Sequence, residues 1–122
     1  MQIGETKKFR NRSQWRNWLE KNYKKKKEIW LVFFKVGSKK RNKFLLLPEA
    51  VEEALCFGWI DSTLKKPSEE SYAVRFSKRR KNSIWAESNK KRSLKLLKEK
   101  KMLKEGIALL PKEVLKKFKN TR

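Results

Sequence analysis

The sequence predicts an α+β fold, a small antiparallel sheet of about three strands packed by helices, with a helical C-terminal region. Three observations carry this. One continuous β-branched and aromatic run, Ile29 to Phe34, lies between a lysine tract and Gly37-Ser38. An alternating stretch, Tyr72, Val74 and Phe76, follows a turn signal at Lys66-Pro67-Ser68. Apolar residues at helical spacing flank both.

The elements follow in order. Ser13 is placed to cap a first helix whose Trp15, Trp18 and Leu19 share one face. Lys24 to Lys27 end it. Glu28 to Val36 then reads as a mostly buried, central strand. After the polar connection Lys39 to Lys43, Pro48 suits the first turn of a second helix, and Glu49, Glu52 and Glu53 complement its N-terminal dipole as surface residues. Gly58 is placed to end that helix in a left-handed conformation. Trp59 to Leu64 resumes extended structure and forms a hairpin with Tyr72 to Phe76. Ser83 is placed to cap a long helix reaching about Leu103, with Asn89 on its apolar side, and a last helix starts at Pro111 and buries Val114, Leu115 and Phe118. No linker or repeat divides the chain, so residues 1–122 read as one domain.

Composition narrows the chemistry. There are 35 Lys and Arg against 13 Asp and Glu, a formal net charge of +22. A polyanion is therefore a natural partner, and the excess of Lys over Arg favours diffuse attraction over base-specific readout. The charge is uneven: Glu49 to Glu70 is net acidic, while Lys7 to Lys27 and Lys78 to Lys104 are strongly basic and form one positive surface if they are neighbours. The chain has no histidine and one cysteine. Histidine-based metal sites, Ser-His and Cys-His nucleophile pairs and intrachain disulfides are thereby excluded, and no cofactor is expected. Cys56 reads as a small buried hydrophobe. The absence of disulfides, of a signal-peptide core and of a long apolar run points to a cytoplasmic protein with no membrane span.

One constellation stands out. Phe57-Gly58-Trp59 makes a sharp helix-to-strand junction, and Asp61 follows Trp59 on the same strand face. Arg75 lies on the facing hairpin arm, and Arg79-Arg80, Ser83, Trp85 and Asn89 follow. Two readings of these residues stay open. In one, Asp61 forms a structural ion pair with Arg75, Arg79 or Arg80 beside Trp59 and Trp85. In the other, Arg79 and Arg80 supply paired donors to a small anionic or polar ligand, Ser83 and the helix N-terminus after it supply N–H groups, Trp59 and Trp85 form apolar walls, and Asn89 reaches the same pocket.

The run Ala50-Val51-Glu52-Glu53-Ala54-Leu55-Cys56-Phe57-Gly58-Trp59-Ile60-Asp61, with Arg75-Phe76, Arg79-Arg80, Ser83, Trp85 and Asn89, resembles the YdeI/OmpD-associated family (OmdA-like, "bacteriocin-protection"). The resemblance extends from Trp15 to about Gly106. It departs at Ser62, where Gly is common, at Lys78, where Pro is usual, and at Ala86, where Ser is usual. It implies an uncharacterised small ligand-binding or regulatory, stress-protection module, to which the residue constellation adds an anion pocket near Asp61, Arg79, Arg80 and Trp85. Sequence-nonspecific nucleic-acid binding through the basic surface is the alternative. With neither His nor a metal set, catalysis would have to rest on arginine and carboxylate groups alone, so binding is expected rather than turnover.

Overall fold

A computed structural model describes residues 4–66 and 68–120. Its elements are β1 (Thr6–Lys7), α1 (Arg12–Asn22), β2 (Glu28–Phe34), α2 (Leu47–Cys56), β3 (Trp59–Lys65), β4 (Ser71–Lys78), α3 (Glu87–Lys98), α4 (Lys104–Ile107) and α5 (Lys112–Asn120). The strands form one sheet in the order β1-β2-β4-β3. This is the expected α+β architecture with its antiparallel three-stranded centre. A fourth strand is added to it, since β1 pairs with β2 in parallel and makes the sheet mixed. A two-residue strand carries too short an apolar pattern to be read from sequence.

The register explains which face is core. Ile29, Leu31 and Phe33 of β2 lie opposite Phe76, Val74 and Tyr72 of β4, and all six belong to or pack against the main apolar cluster. That face receives Trp15 and Leu19 from α1, Val51, Ala54 and Leu55 from α2, and Leu96 from α3. Trp15 donates its indole N–H to the Ala50 carbonyl at 2.9 Å, which satisfies a fully buried polar atom and ties α1 to α2. The other sheet face carries Glu28, Trp30 and Val32 opposite Ser77, Arg75 and Ala73. On β3 the pairing slips between Asp61 and Leu64, a bulge near the middle of this edge strand.

Helix boundaries follow local chemistry, with three corrections to the sequence reading. The cap of α1 is Asn11, whose side chain accepts from the Gln14 amide at 3.0 Å, and Ser13 lies inside the helix. In α2, Pro48 does occupy the first turn, and Glu49 accepts from the Leu46 amide at 2.9 Å. Gly58 takes φ +75, as a left-handed helix stop requires. The long helix from Ser83 to Leu103 is instead the shorter α3 followed by α4. Asn82 at φ 64 interrupts the chain before α3. At the other end, Lys100 at φ 58 closes a Schellman motif, with the Lys100 amide on Leu97 and the Lys101 amide on Leu96, both at 3.1 Å.

Glu52 and Glu53 are the third correction, since they are not simple surface residues. Glu53 is 3% exposed and accepts from Arg12 at 3.1 Å and Arg16 at 3.0 Å. Glu52 accepts from Arg12 at 2.9 Å and lies 3.5 Å from Lys95. This network stitches α1, α2 and α3 together. It also answers how the two basic stretches meet: both flank α2, and Arg16 donates to the Lys101 carbonyl at 2.8 Å. Behind α2, the Leu103 amide caps the Cys56 carbonyl at 2.9 Å. A Cβ on Gly106 would sit 2.6 Å from the Leu55 and Cys56 carbonyl oxygens, so only glycine lets α4 approach this closely. Pro67, in the turn read from sequence, lies outside the described residues.

Candidate anion site beside the β3–β4 hairpin

The site is built outward from the end of α2. The turn through Gly58 aims β3 back along the sheet, and the Gly58 carbonyl accepts the Arg79 amide at 2.8 Å. That bond prolongs the hairpin one residue past β4 and fixes the Arg79 backbone. The following loop folds over the Arg79 side chain. Its guanidinium donates to the Ile84 carbonyl at 2.8 Å and lies 3.7 Å from the centre of the Trp85 ring. Trp85 is held in turn because it packs against both apolar clusters of the protein.

Arg79 is only 8% exposed, yet it forms no ion pair among the described residues, and its Nε has no partner. Burial holds its guanidinium below the usual arginine range, opposed by the charge of Asp61. Ser83 Oγ and Trp59 Nε1 are likewise buried without hydrogen-bond partners. Arg79 Nε and Ser83 Oγ fall in one loop, and such orphans are unusual because buried polar groups are nearly always paired.

Alongside lies a groove of about 340 Å³ whose lining includes Arg75, Arg79, Arg80 and Ser83, with Ile60, Ser62 and Ser77 on the sheet side. The period of two along β3 and β4 brings these together: Ile60 is paired with Ser77, while Ser62 Oγ reaches the Arg75 carbonyl at 3.4 Å. Lys78 and the 95% exposed Ile84 complete its walls.

The sequence-derived residues are thus only partly assembled. Arg75, Arg79, Arg80 and Ser83 share the groove, and Trp85 stacks on Arg79. Asp61, half-buried, forms no ion pair with any of the three arginines and acts on Arg79 only through its field. The structural ion pair with Asp61 is therefore not formed. Arg75 instead donates to Glu28 at 2.8 Å, and that carboxylate also accepts from Trp30. Trp59 is fully buried, edge-on to Trp18, and is core rather than wall. Asn89 lies on α3 and accepts from Arg92 at 2.9 Å, away from the groove lining. The N-terminus of α3 does not serve the site either: its cap is Ala86, three residues beyond Ser83, and it has no side-chain cap bond.

Sequence reasoning missed Glu28, Ile60, Ser62, Ser77 and Ile84. The first four could have been found by extending the strand period from Arg75 across the hairpin and onto β2. Cys56 is buried, as expected, and burial pushes its thiol up to about 11 against the opposing pull of Arg16. Among the described residues there is no cluster of acidic or thiol side chains able to hold a metal, and no helix long and apolar enough to cross a membrane.

A family model described as a domain of unknown function (DUF8412) matches residues 7–109. No curated protein and no solved structure matches the chain.

Proposed function

We propose that this chain, which belongs to the DUF8412 family, is a binding module for a small anionic ligand, a phosphate or carboxylate seated in the groove beside the β3–β4 hairpin. The observation that carries the reading is Arg79: a guanidinium more than nine-tenths buried, with no carboxylate among the described residues paired to it and a free Nε. An uncompensated buried charge is costly, and an anion would both neutralise it and use the planar donor fork. Trp85 and Ile84 hold the guanidinium in place before any ligand arrives, which limits the ordering cost of binding. Arg80 and Lys78 add positive charge at the rim, and Ser83 Oγ is an unused hydroxyl at the same groove. The resemblance to YdeI/OmpD-associated proteins fits a binding or regulatory role of this kind in the cytoplasm. Among the described residues, no group in the groove has the acid–base pairing that turnover would need.

The test is calorimetry and thermal denaturation with inorganic phosphate, pyrophosphate and citrate. Saturable binding by at least one of them is expected, with stabilisation growing as the logarithm of ligand concentration. Arg80→Ala, at an exposed position that leaves the fold intact, is expected to weaken binding about tenfold or more, the scale of a hydrogen bond to a charged group. Arg79→Gln is expected to abolish it. Absence of saturable binding, or binding indifferent to Arg80→Ala and Ser83→Ala together, would overturn the reading.

A further inference from the structure

The α3–α5 pair carries a second positive feature, separate from the groove. Residues 87–120 contain twelve Lys and Arg against four Glu. Every one of those acids already has a partner. Glu87 and Glu113 both hold Lys90, at 3.0 and 2.7 Å. Glu99 holds Lys101 at 3.4 Å, and Glu105 is taken by Tyr23 and Lys24. Lys91, Lys98, Lys112, Lys116, Lys117 and Lys119 therefore form no ion pair among the described residues, and all six are exposed.

Their spacing is regular. Lys91, Lys95 and Lys98 on α3 stand at i, i+4 and i+7, as do Lys112, Lys116 and Lys119 on α5. At a rise of about 1.5 Å per residue, each row runs about 10 Å, or about three nucleotide steps at roughly 3.4 Å per step of one strand. The two helices are locked side by side by the Lys90–Glu113 pair and by Leu97, Leu110 and Val114 beneath. Lys91 of α3 and Lys117 of α5 line one groove between them, whose floor also holds Lys90 with its partners Glu87 and Glu113. The helical layer is thus a rigid platform presenting mobile ammonium groups, which suits a phosphate backbone and carries no fork for reading bases.

We infer that the α3–α5 face is a sequence-nonspecific docking surface for the backbone of a nucleic acid. Apart from Lys95, which Glu52 of α2 holds at 3.5 Å, the lysines of the two rows form no ion pair among the described residues, and the rows are long enough to follow a strand. Arg79 and its groove take no part.

Fluorescence anisotropy with a labelled duplex of about 20 base pairs and a labelled single strand, between about 50 and 200 mM salt, tests this. Log affinity is expected to fall linearly with log salt. The combined variant Lys91→Gln, Lys98→Gln, Lys116→Gln, Lys117→Gln is expected to flatten the slope by about 3.6, at roughly 0.9 for each phosphate no longer neutralised. An isocharge control, Lys21→Gln, Lys25→Gln, Lys27→Gln, Lys39→Gln, removes the same charge from other exposed positions and is expected to leave the slope near that of the unmodified protein. Equal effects in both sets would assign binding to diffuse charge and overturn the surface. No binding at the lowest salt would overturn it as well. Poly-glutamate or phosphatidylserine vesicles bound as tightly, with the same dependence on the helix lysines, would overturn the choice of partner. Arg80→Ala and Arg79→Gln are expected to leave duplex binding within about threefold, less than the roughly tenfold or more that follows removal of a base-specific arginine, so the groove and this face fail or stand separately.

Discussion

Arg79 and Arg80 are adjacent in sequence and opposite in fate. One is buried against Trp85 and the other is exposed, because a strand-like continuation turns successive side chains to opposite sides. The sequence marks the pair as chemically notable and cannot say which member is enclosed, since the enclosure comes from the loop that follows. Glu53 is the sharper case. Its burial depends on Arg12 and Arg16, 41 and 37 residues away, and nothing local to the helix signals it. Ala86 shows the reverse, a departure from a familiar pattern with a direct physical meaning. It caps α3 from an extended conformation, φ −69 and ψ 148, without a side-chain acceptor. Ala86→Ser is expected to stabilise the protein by about 1 kcal/mol, the usual gain of an N-cap hydroxyl. Urea unfolding checks it, and an unchanged midpoint would mean that the α3 amides are satisfied in another way.

Elements whose signals are local were legible. Pro48 opens α2, Gly58 closes it, and the aromatic run of β2 is buried on both faces. The sequence errs where tertiary contact sets the boundary. Helical spacing continues through Ser83 to Leu103, but the stacking of Trp85 on Arg79 holds the chain out of helix before Glu87, and the Schellman turn at Lys100 stops it early. That turn places a lysine in the left-handed region, where a Cβ is strained. Lys100→Gly relieves the strain and is expected to raise stability by about 0.5–1 kcal/mol, the scale of the glycine preference at this position. The same substitution at Lys98, inside α3, is expected to lower stability by a similar amount. Denaturant midpoints of the two variants check this. The opposite signs at two positions so close together isolate backbone conformation from loss of charge, whereas two decreases, or two increases, would show that charge dominates instead.

At the scale of the molecule, a net charge of +22 repels itself, and the acidic helix α2 is where that repulsion is locally relieved. Burial would raise the Glu52 carboxyl, but the hydrogen bond and charge of Arg12, with Lys95 behind, outweigh it and hold the group below the usual carboxylate range. A carboxyl lowered on folding contributes stability that is complete above its unfolded pKa, near about 4.3, and is lost as pH falls through the folded value. Arg12→Gln is therefore expected to destabilise the protein at neutral pH and to do so by less at about pH 3, where part of that contribution is already lost. Chemical denaturation at both pH values measures the gap, and a gap that does not narrow in acid would remove Glu52 from the account. The α+β class and its hairpin were readable because each strand buries a recognisable pattern. The polar network was not, because it assembles from three helices whose sequences are individually ordinary.

The slip in pairing between Asp61 and Leu64 bears on how copies of this protein behave in a crowded solution. β3 is an outer strand of the sheet, and Leu64 is 47% exposed on it. A straight strand there would offer an unbroken row of amides and carbonyls to any passing extended chain. The irregularity breaks that row, the lysines at 65 and 66 surround its end with like charge, and the opposite margin is reduced to the two residues of β1. Both margins of the sheet are thereby made poor templates for aggregation.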